Sequence, residues 1–374
     1  MYIFRADGNK DIGAGHVMRC LTVADELRKL GTDPVFVCAD TEPEKMITDR
    51  GYEVICLNSD YRQMEGEVPS LAKVLKTRTG DHTDITLVID SYFITDGYLN
   101  AIRHMGIRTV VIDDLCEKRI PADVVINYNA YADAGRYREL YSGAVRCDAD
   151  AGKSAYNTDG HIAEKVSGSE SADKIKTALY VGSRFIPVRE MFLNRGYKVR
   201  KKVENVLITT GGSDISGIGC RILESLIGDT GVTFYVIAGR FNPYIDRLKE
   251  LAADKDNVIV YDHVDDMAGL FLKCDIAITA GGSTTYELCA IGLPFICFSY
   301  ADNQEQVVEY MDDHGIASDA GAYHRAGDLV IHNIRNIYDR YREYYDIRKS
   351  HSDMGLRLVD GKGAGRMARI IYER

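Results

Sequence analysis

The sequence predicts an α/β protein made of two Rossmann-like, doubly wound domains with a cleft between them. Three observations carry that expectation. Short β-branched runs alternate with helical patterns along the whole chain, the mark of parallel α/β layers. The alternation pauses at a charged stretch near Lys198–Glu204 and restarts at Asn205. At 374 residues the chain is too long for one ordinary core, so two domains of ~150–190 residues are expected. We place them at residues 1–200 and 201–374.

Taken in order, the first half offers strands at Tyr2–Phe4, Pro34–Ala39, Glu53–Leu57, Ile85–Asp90, Arg108–Asp113 and Val124–Asn127. Between the first two, Val17, Cys20, Leu21, Ala24, Leu27 and Leu30 share one helical face, and Gly31 closes the helix. The stretch from about 143 to 174 breaks the rhythm. It is rich in Gly, Ser, Asp and Ala, which predicts an exposed excursion from the first domain, with His161 solvated. The second half repeats the pattern with NVLITTGG, TFYVIAG, NVIVYDHV, IAITAGG and PFICFS, each followed by a helix. A charged helical tail runs from His332 to Arg374 and could fold back over the first domain. In such folds ligands bind at the strand C-terminal ends, which puts function in the cleft.

Bulk properties narrow the function classes. The hydrophobic fraction of 45% and charged fraction of 27% are ordinary for a globular protein. A net charge of -10 argues against general nucleic-acid binding or attachment to anionic membranes. No apolar run approaches the ~20 residues of a membrane span, and no signal peptide is evident. Cys20, Cys38, Cys56, Cys220, Cys274, Cys289 and Cys297 sit among apolar neighbours without a CxxC pair. They read as reduced core residues of a cytoplasmic protein.

Two glycine loops carry the chemistry. The segment RADGNKDIGAGHVMR, residues 5–19, runs from the first strand into a helix headed by His16. Gly13 and Gly15 permit a tight turn and close approach to main-chain N–H groups, while the helix start favours an anion. A histidine there can act as an acid or base near neutral pH. The same pattern also occurs as a plain βα turn, and Gly13-Ala14-Gly15-His16 is not a dinucleotide fingerprint. The second loop lies in TAGGSTTYELCAIGLPFICFSYADNQ, residues 279–304. Gly281 and Gly282 expose N–H groups, Ser283 and Thr284 supply hydroxyls, and Glu287 stands one turn on, where a carboxylate can accept both vicinal hydroxyls of a ribose. Its structural alternative makes Ser283 an ordinary N-cap and Glu287 a first-turn acid.

Residues 279–304 resemble the nucleotide-sugar half of GT-B glycosyltransferases of the MurG kind. Together with RADGNKDIGAGHVMRCLTVADEL, the resemblance extends over nearly the whole chain. It is to the UDP-2,4-diacetamido-2,4,6-trideoxy-β-L-altropyranose hydrolase family of pseudaminic acid biosynthesis and its spore-coat polysaccharide relatives. LVIDSYF, TVVIDDL, ALYVGSRFIPVREMF and NVLITTGGSD match that family's landmarks in order; the 143–174 stretch departs from it.

The resemblance implies that His16 is the base that activates water and that UDP leaves as the anomeric C–O bond breaks with inversion. A UDP-sugar and water are the expected reactants; no metal is demanded where N–H groups and hydroxyls hold the diphosphate, no cofactor is expected, and nothing requires more than a monomer. The resemblance further places the backbone of Val264 near the uracil, and Asn303 and Gln304 at the sugar, although both could instead cap the next helix. From the residues themselves, Arg19 could reach the diphosphate or orient the loop, or else form a surface ion pair. Asp90 and Tyr92 sit at a strand C-terminus, where Tyr92 could meet the sugar. Gly211, Gly212 and Ser213 form a further phosphate-side turn, and Asp113-Asp114 reads as a polar strand end. Two rival readings stay open: a GT-B glycosyltransferase using a UDP-sugar, and a non-catalytic nucleotide-sugar-binding protein, which would have no need for His16.

Overall fold

A computed structural model describes residues 1–79, 84–141, 164–167, 176–239 and 241–373. The chain divides into two compact units. The first comprises Met1–Gly8, His16–Pro187 and Lys362–Arg374; the second comprises Asn9–Gly15 and Val188–Gly361. The division thus falls at Pro187/Val188, upstream of the expected 200/201. The last thirteen residues belong with the first unit, because they are tied to its sheet. Arg108 donates to the carbonyls of Ile370 and Ile371 at 2.9 and 2.7 Å, and Tyr2 donates to that of Tyr372 at 3.2 Å.

The first unit holds an eight-stranded sheet: β1 (Tyr2–Ala6), β2 (Val35–Cys38), β3 (Glu53–Cys56), β4 (Thr86–Asp90), β5 (Arg108–Ile112), β6 (Val124–Asn127), β7 (Glu164–Ser167) and β8 (Lys176–Val181). Their spatial order is β3-β2-β1-β4-β5-β6-β8-β7. Every pairing is parallel except that of β7 with β8. The strands are covered on both faces, which is why they read as continuous apolar runs. Ile3, Leu87 and Ile89 lie in one fully buried cluster, while Phe4 and Phe36 stack at 5.2 Å. Two strands escaped the sequence reading. β7 lies within the 143–174 stretch, the remainder of which, with His161, is outside the described residues.

The expected first strand, Tyr2–Phe4, runs on to Ala6, and its fourth residue is a fully buried arginine. Arg5 tolerates that position because its guanidinium is matched on two sides. Nε and Nη2 each lie 2.7 Å from the two oxygens of Glu67, and Nη1 lies 2.5 Å from Asp7. Glu67 also accepts from Tyr98 at 3.0 Å and Ser59 at 3.2 Å, and Asp7 accepts from the Ala39 amide at 2.7 Å. Burial opposes the charge of Arg5, but Glu67 and Asp7 outweigh it and raise the guanidinium above its ordinary value.

The second unit holds a wholly parallel sheet of β9 (Asn205–Thr209), β10 (Thr233–Ile237), β11 (Val258–Tyr261), β12 (Ile276–Ala280), β13 (Phe295–Ser299) and β14 (Ser318–Ala322). The order is β11-β10-β9-β12-β13-β14. β14, with sequence SDAGA, has no strand-like pattern of its own; it forms by pairing with β13, with a register shift between Cys297 and Ser299. Val206, Ile208, Phe234, Ile276, Ile278 and Ile296 are completely or almost completely buried in its core.

Among their parallel strands the sheets reverse strand order at β1/β4 and at β9/β12. Such switch points leave a crevice beyond the strand C-termini, where ligands bind in open α/β sheets. His16 follows β1 and Asp90 ends β4; Gly211–Ser213 follow β9 and Gly281–Thr284 follow β12. Both expected glycine loops therefore fall at switch points. Among the described residues no helix is long and apolar enough to cross a membrane. The eight cysteines among them are free thiols, seven of them buried.

Candidate active site

The loop between β1 and the helix Gly15–Lys29 is largely self-satisfied. Asn9 and Gly13 exchange backbone hydrogen bonds at 3.2 and 2.7 Å, and the Asn9 side chain accepts from the amides of Asp11 and Ile12 at 3.0 and 3.1 Å. Gly13 has φ +72°, a left-handed conformation that glycine adopts without strain. The amides of residues 11–13 are thus occupied, so the expected anion cradle shrinks to the helix start at Gly15.

His16 enters a buried network in the first unit. Its Nδ1 lies 2.6 Å from Asp90 Oδ1. A carboxylate only accepts, so Nδ1 is the donor in this contact, and in the neutral ring the lone pair then falls on Nε2, the arrangement a general base requires. Parallel pairing puts Ala6 opposite Asp90, which brings the start of the following helix beside the end of β4. The edge of the Tyr92 ring meets the imidazole, with centroids 4.5 Å apart and planes at 77°.

Arg19, one turn on from His16, is buried with it. Its Nε and Nη2 grip Asp90 at 2.7 and 2.6 Å. Its Nη1 donates to the Tyr128 hydroxyl and to Asp114 at 3.4 Å. Burial alone would lift the Asp90 carboxyl, but Arg19 first and His16 second pull it well below the usual carboxylate range. Arg19 stays fully charged, since Asp90, Tyr128 and Asp114 outweigh its own burial.

These contacts correct two sequence expectations. Arg19 is engaged inside the unit and is not held out toward a diphosphate. Asp90, only 1% exposed and with both oxygens in use, is the partner of His16 and not a substrate ligand. Tyr92 keeps an accessible ring, and its hydroxyl donates to Asp114 at 3.2 Å. Asp113 and Asp114 part company: Asp113 accepts from Tyr137 and from the Leu115 and Cys116 amides, which makes it a loop anchor. A cavity of about 130 Å³ opens beside the dyad, lined by Asp90, Tyr92, Ile94, Asp114 and Lys118 among others. That volume is well below the several hundred Å³ of a pocket for a whole drug-sized ligand.

In the second unit, Ser283 precedes the helix Thr284–Ile291 without capping it through its side chain. The N-cap explanation of this serine therefore fails, and its exposed hydroxyl is available with the helix start behind it. Thr284 opens the helix, whereas the next hydroxyl, of Thr285, bonds back to Gly282 at 2.7 Å. Gly281 admits no side chain, because a Cβ would meet Val308 at 2.5 Å. Glu287 is held by Arg189, with Nε 2.7 Å from Oε1. Arg189 carried no separate signal in the sequence, although it lies in the landmark segment ALYVGSRFIPVREMF.

At the other turn, Gly211 has φ +88°, and a Cβ at Gly239 would stand 2.1 Å from the Gly211 carbonyl, so glycine is required at both. Gly212 accepts from the Phe241 amide at 3.1 Å. The helix that follows, Ile218–Leu226, is closed off by Asp214, which accepts from the amides of Ile218 and Gly219 at 2.9 and 2.7 Å. Any anion site near Gly212 and Ser213 must then use the loop itself and not that helix end. Val264 lies half-buried between β11 and the next helix. Gln304 accepts from the Tyr300 amide at 3.1 Å, the capping role of the sequence alternative, while Asn303 is exposed at the same helix start. Among the described residues one trio, Asp302, Glu305 and His324, has metal-ligand spacing. Arg325 donates to both of its carboxylates.

No protein-family model matches the chain. It is 27% identical over 305 residues to the uncharacterized protein MJ1062 of Methanocaldococcus jannaschii, covering 78% of this chain and 54% of that protein. It is 29% identical over 206 residues to the spore coat polysaccharide biosynthesis protein SpsG of Bacillus subtilis, covering 53% of this chain and 59% of the relative. The chain thus spans little more than half the length of these two relatives. The UDP-2,4-diacetamido-2,4,6-trideoxy-β-L-altropyranose hydrolase of Campylobacter jejuni is 22% identical over 84% of this chain and 96% of its own length. Among solved structures, MurG of Acinetobacter baumannii superposes with a TM-score of 0.64 at 13% identity, covering 100% of this chain and 99% of the other. CalG4, the calicheamicin glycosyltransferase, gives 0.61 at 14% identity, covering 99% and 97%. The chain has the GT-B architecture of two parallel-sheet α/β domains, and it is a distant relative of the altropyranose hydrolase and the spore-coat polysaccharide protein, as its motifs predict.

Proposed function

We propose that this protein hydrolyses a UDP-linked 2,4-diacetamido-2,4,6-trideoxyhexose to the free sugar and UDP, within nonulosonic (pseudaminic-type) acid biosynthesis. The observation that carries the reading is the 2.6 Å contact between His16 Nδ1 and Asp90, which leaves Nε2 as a base. Water, giving its proton to Nε2, attacks the anomeric carbon. The bond from that carbon to the phosphate oxygen breaks, its electron pair leaves with UDP, and configuration inverts. No general acid is needed, because a diphosphate leaves as a stabilised anion. Ser283, Thr284 and the helix start behind them are the proposed diphosphate contacts, and Gly212 and Ser213 are proposed to assist from their loop. Glu287, oriented by Arg189, takes the ribose hydroxyls; Val264 lies at the uracil; Tyr92, Asn303 and Gln304 contact the sugar. The site operates in the cytoplasm, as a monomer.

The test is incubation with the UDP-sugar in ¹⁸O-labelled water, without any acceptor. UDP release is expected, with no label in the UDP, because cleavage of the anomeric C–O bond leaves the phosphate oxygens untouched. UDP appearing only when an acceptor sugar is added would replace this reading with a glycosyltransferase, and UDP binding without turnover would replace it with a binding protein. A second check concerns the nucleotide. Glu287→Gln should weaken UDP binding roughly tenfold or more, the worth of a hydrogen bond to a charged group. Isothermal titration calorimetry reads this directly, and an unchanged Kd would remove Glu287 from the site.

A further inference from the structure

We propose that Arg19 is the positioning residue of this site: it holds both oxygens of Asp90 and balances their charge, so that the carboxylate can orient His16 through Nδ1 and leave Nε2 turned to the substrate. The proposal builds on the reading of His16 as a base. A histidine paired with a lone carboxylate is drawn toward imidazolium, which has no lone pair with which to take a proton. Asp90 by itself would therefore orient His16 and silence it together.

The geometry resolves that conflict. Arg19 holds both Asp90 oxygens, through Nε at 2.7 Å and Nη2 at 2.6 Å, a bidentate pairing that an arginine fork makes and a lysine does not. The same Nη2 stands 3.1 Å from His16 Nδ1. Both atoms carry donors, so this approach is no hydrogen bond. It is a positive charge set against the nitrogen that would share an imidazolium's charge. With His16 5% exposed and Arg19 8%, little solvent intervenes.

The groups surrounding the imidazole come from four elements. Arg19 lies on its own helix, with Cys20 beside it reaching Asp90 at 3.7 Å. Asp90 ends β4, and Tyr92 follows it. Asp114, after β5, is 3.4 Å from Arg19 and accepts from Tyr92. Tyr128, after β6, accepts from Arg19 Nη1, and its ring lies 4.7 Å from the guanidinium carbon. Tyr128 and Asp114 thus fix the far end of Arg19, while its near end faces Asp90 and His16.

The experiment is a pH titration of the His16 ring nitrogens by ¹H–¹⁵N spectroscopy on the full chain, with the signals assigned by their loss in His16→Asn. The neutral wild-type ring should carry its proton on Nδ1. Arg19→Met should raise the midpoint by about one pH unit or more, the effect of removing a nearby opposing charge. Arg19→Lys should fall between, and Tyr128→Phe should shift it in the same direction by less. An unchanged midpoint in folded Arg19→Met, or a proton found on Nε2 in the neutral wild type, overturns the proposal. If Arg19→Met fails to fold, Tyr128→Phe decides in its place, and no shift there also overturns it. No substrate enters this titration, so its result stands whether or not the UDP-sugar is hydrolysed. Where hydrolysis is seen, the acidic limb of kcat/KM should move up by the same amount in Arg19→Met.

Discussion

His16→Asn is expected to reduce UDP-sugar turnover by about 10²–10⁴-fold, the usual worth of a positioned base, while leaving UDP affinity essentially unchanged. Asparagine is the informative replacement. Its side-chain amide can still donate to Asp90, so the carboxylate keeps a partner in place of the 2.6 Å imidazole contact. What disappears is the Nε2 lone pair. A steady-state assay of UDP release and a calorimetric UDP titration on the same preparation separate the two effects. A variant with the full rate would refute the base assignment. A variant that lost UDP affinity by the same factor as its rate would make His16 a binding residue.

Glu67→Ala is expected to cost about 3–5 kcal/mol of stability, because it strands a buried guanidinium with half its partners. Arg5 is fully buried and Glu67 is 1% exposed. Removing the carboxylate takes away both 2.7 Å contacts and leaves Asp7 alone to balance the charge. It also leaves the Tyr98 hydroxyl without its 3.0 Å acceptor. For a unit of this size the loss corresponds to a fall in melting temperature of roughly 10 °C, measurable by scanning calorimetry. The combined replacement Arg5→Met, Glu67→Leu and Asp7→Asn should recover much of the loss, because no buried charge is then left unpaired and a buried ion network contributes little over uncharged groups of similar volume. A Glu67→Ala protein that melts with the wild type would show the network to be energetically idle.

The two glycine loops were legible from sequence because their chemistry is local. A glycine pair followed by hydroxyls and a helix is visible in eight or ten consecutive residues, and in the structure the Ser283 side chain does not cap that helix. The roles of Arg19 and Asp90 were not legible. They stand 71 positions apart and meet only because β1 and β4 are neighbours in the sheet. Arg189 is in the same case, 98 positions from the Glu287 it orients. Arg5 and Glu67 misled the pattern for the opposite reason. A charged residue ends a strand when its neighbours are unknown, and continues one when its counter-charge is supplied from 62 positions away. β14 belongs here too, since SDAGA becomes a strand only through the edge that β13 presents.

The sequence by itself determined the fold class, the two glycine turns, the helix that carries His16, and the kinship with the altropyranose hydrolase. All of these rest on periodicity and on short contiguous motifs, which survive without knowledge of what packs against what. The tertiary structure alone decided the strand order, and with it the placing of both loops at switch points. It decided as well which acid partners His16, which arginine balances that acid, and which loop amides are already engaged. Those outcomes depend on burial and on charges brought within 3 Å of each other. Distance through space has no counterpart in distance along the chain.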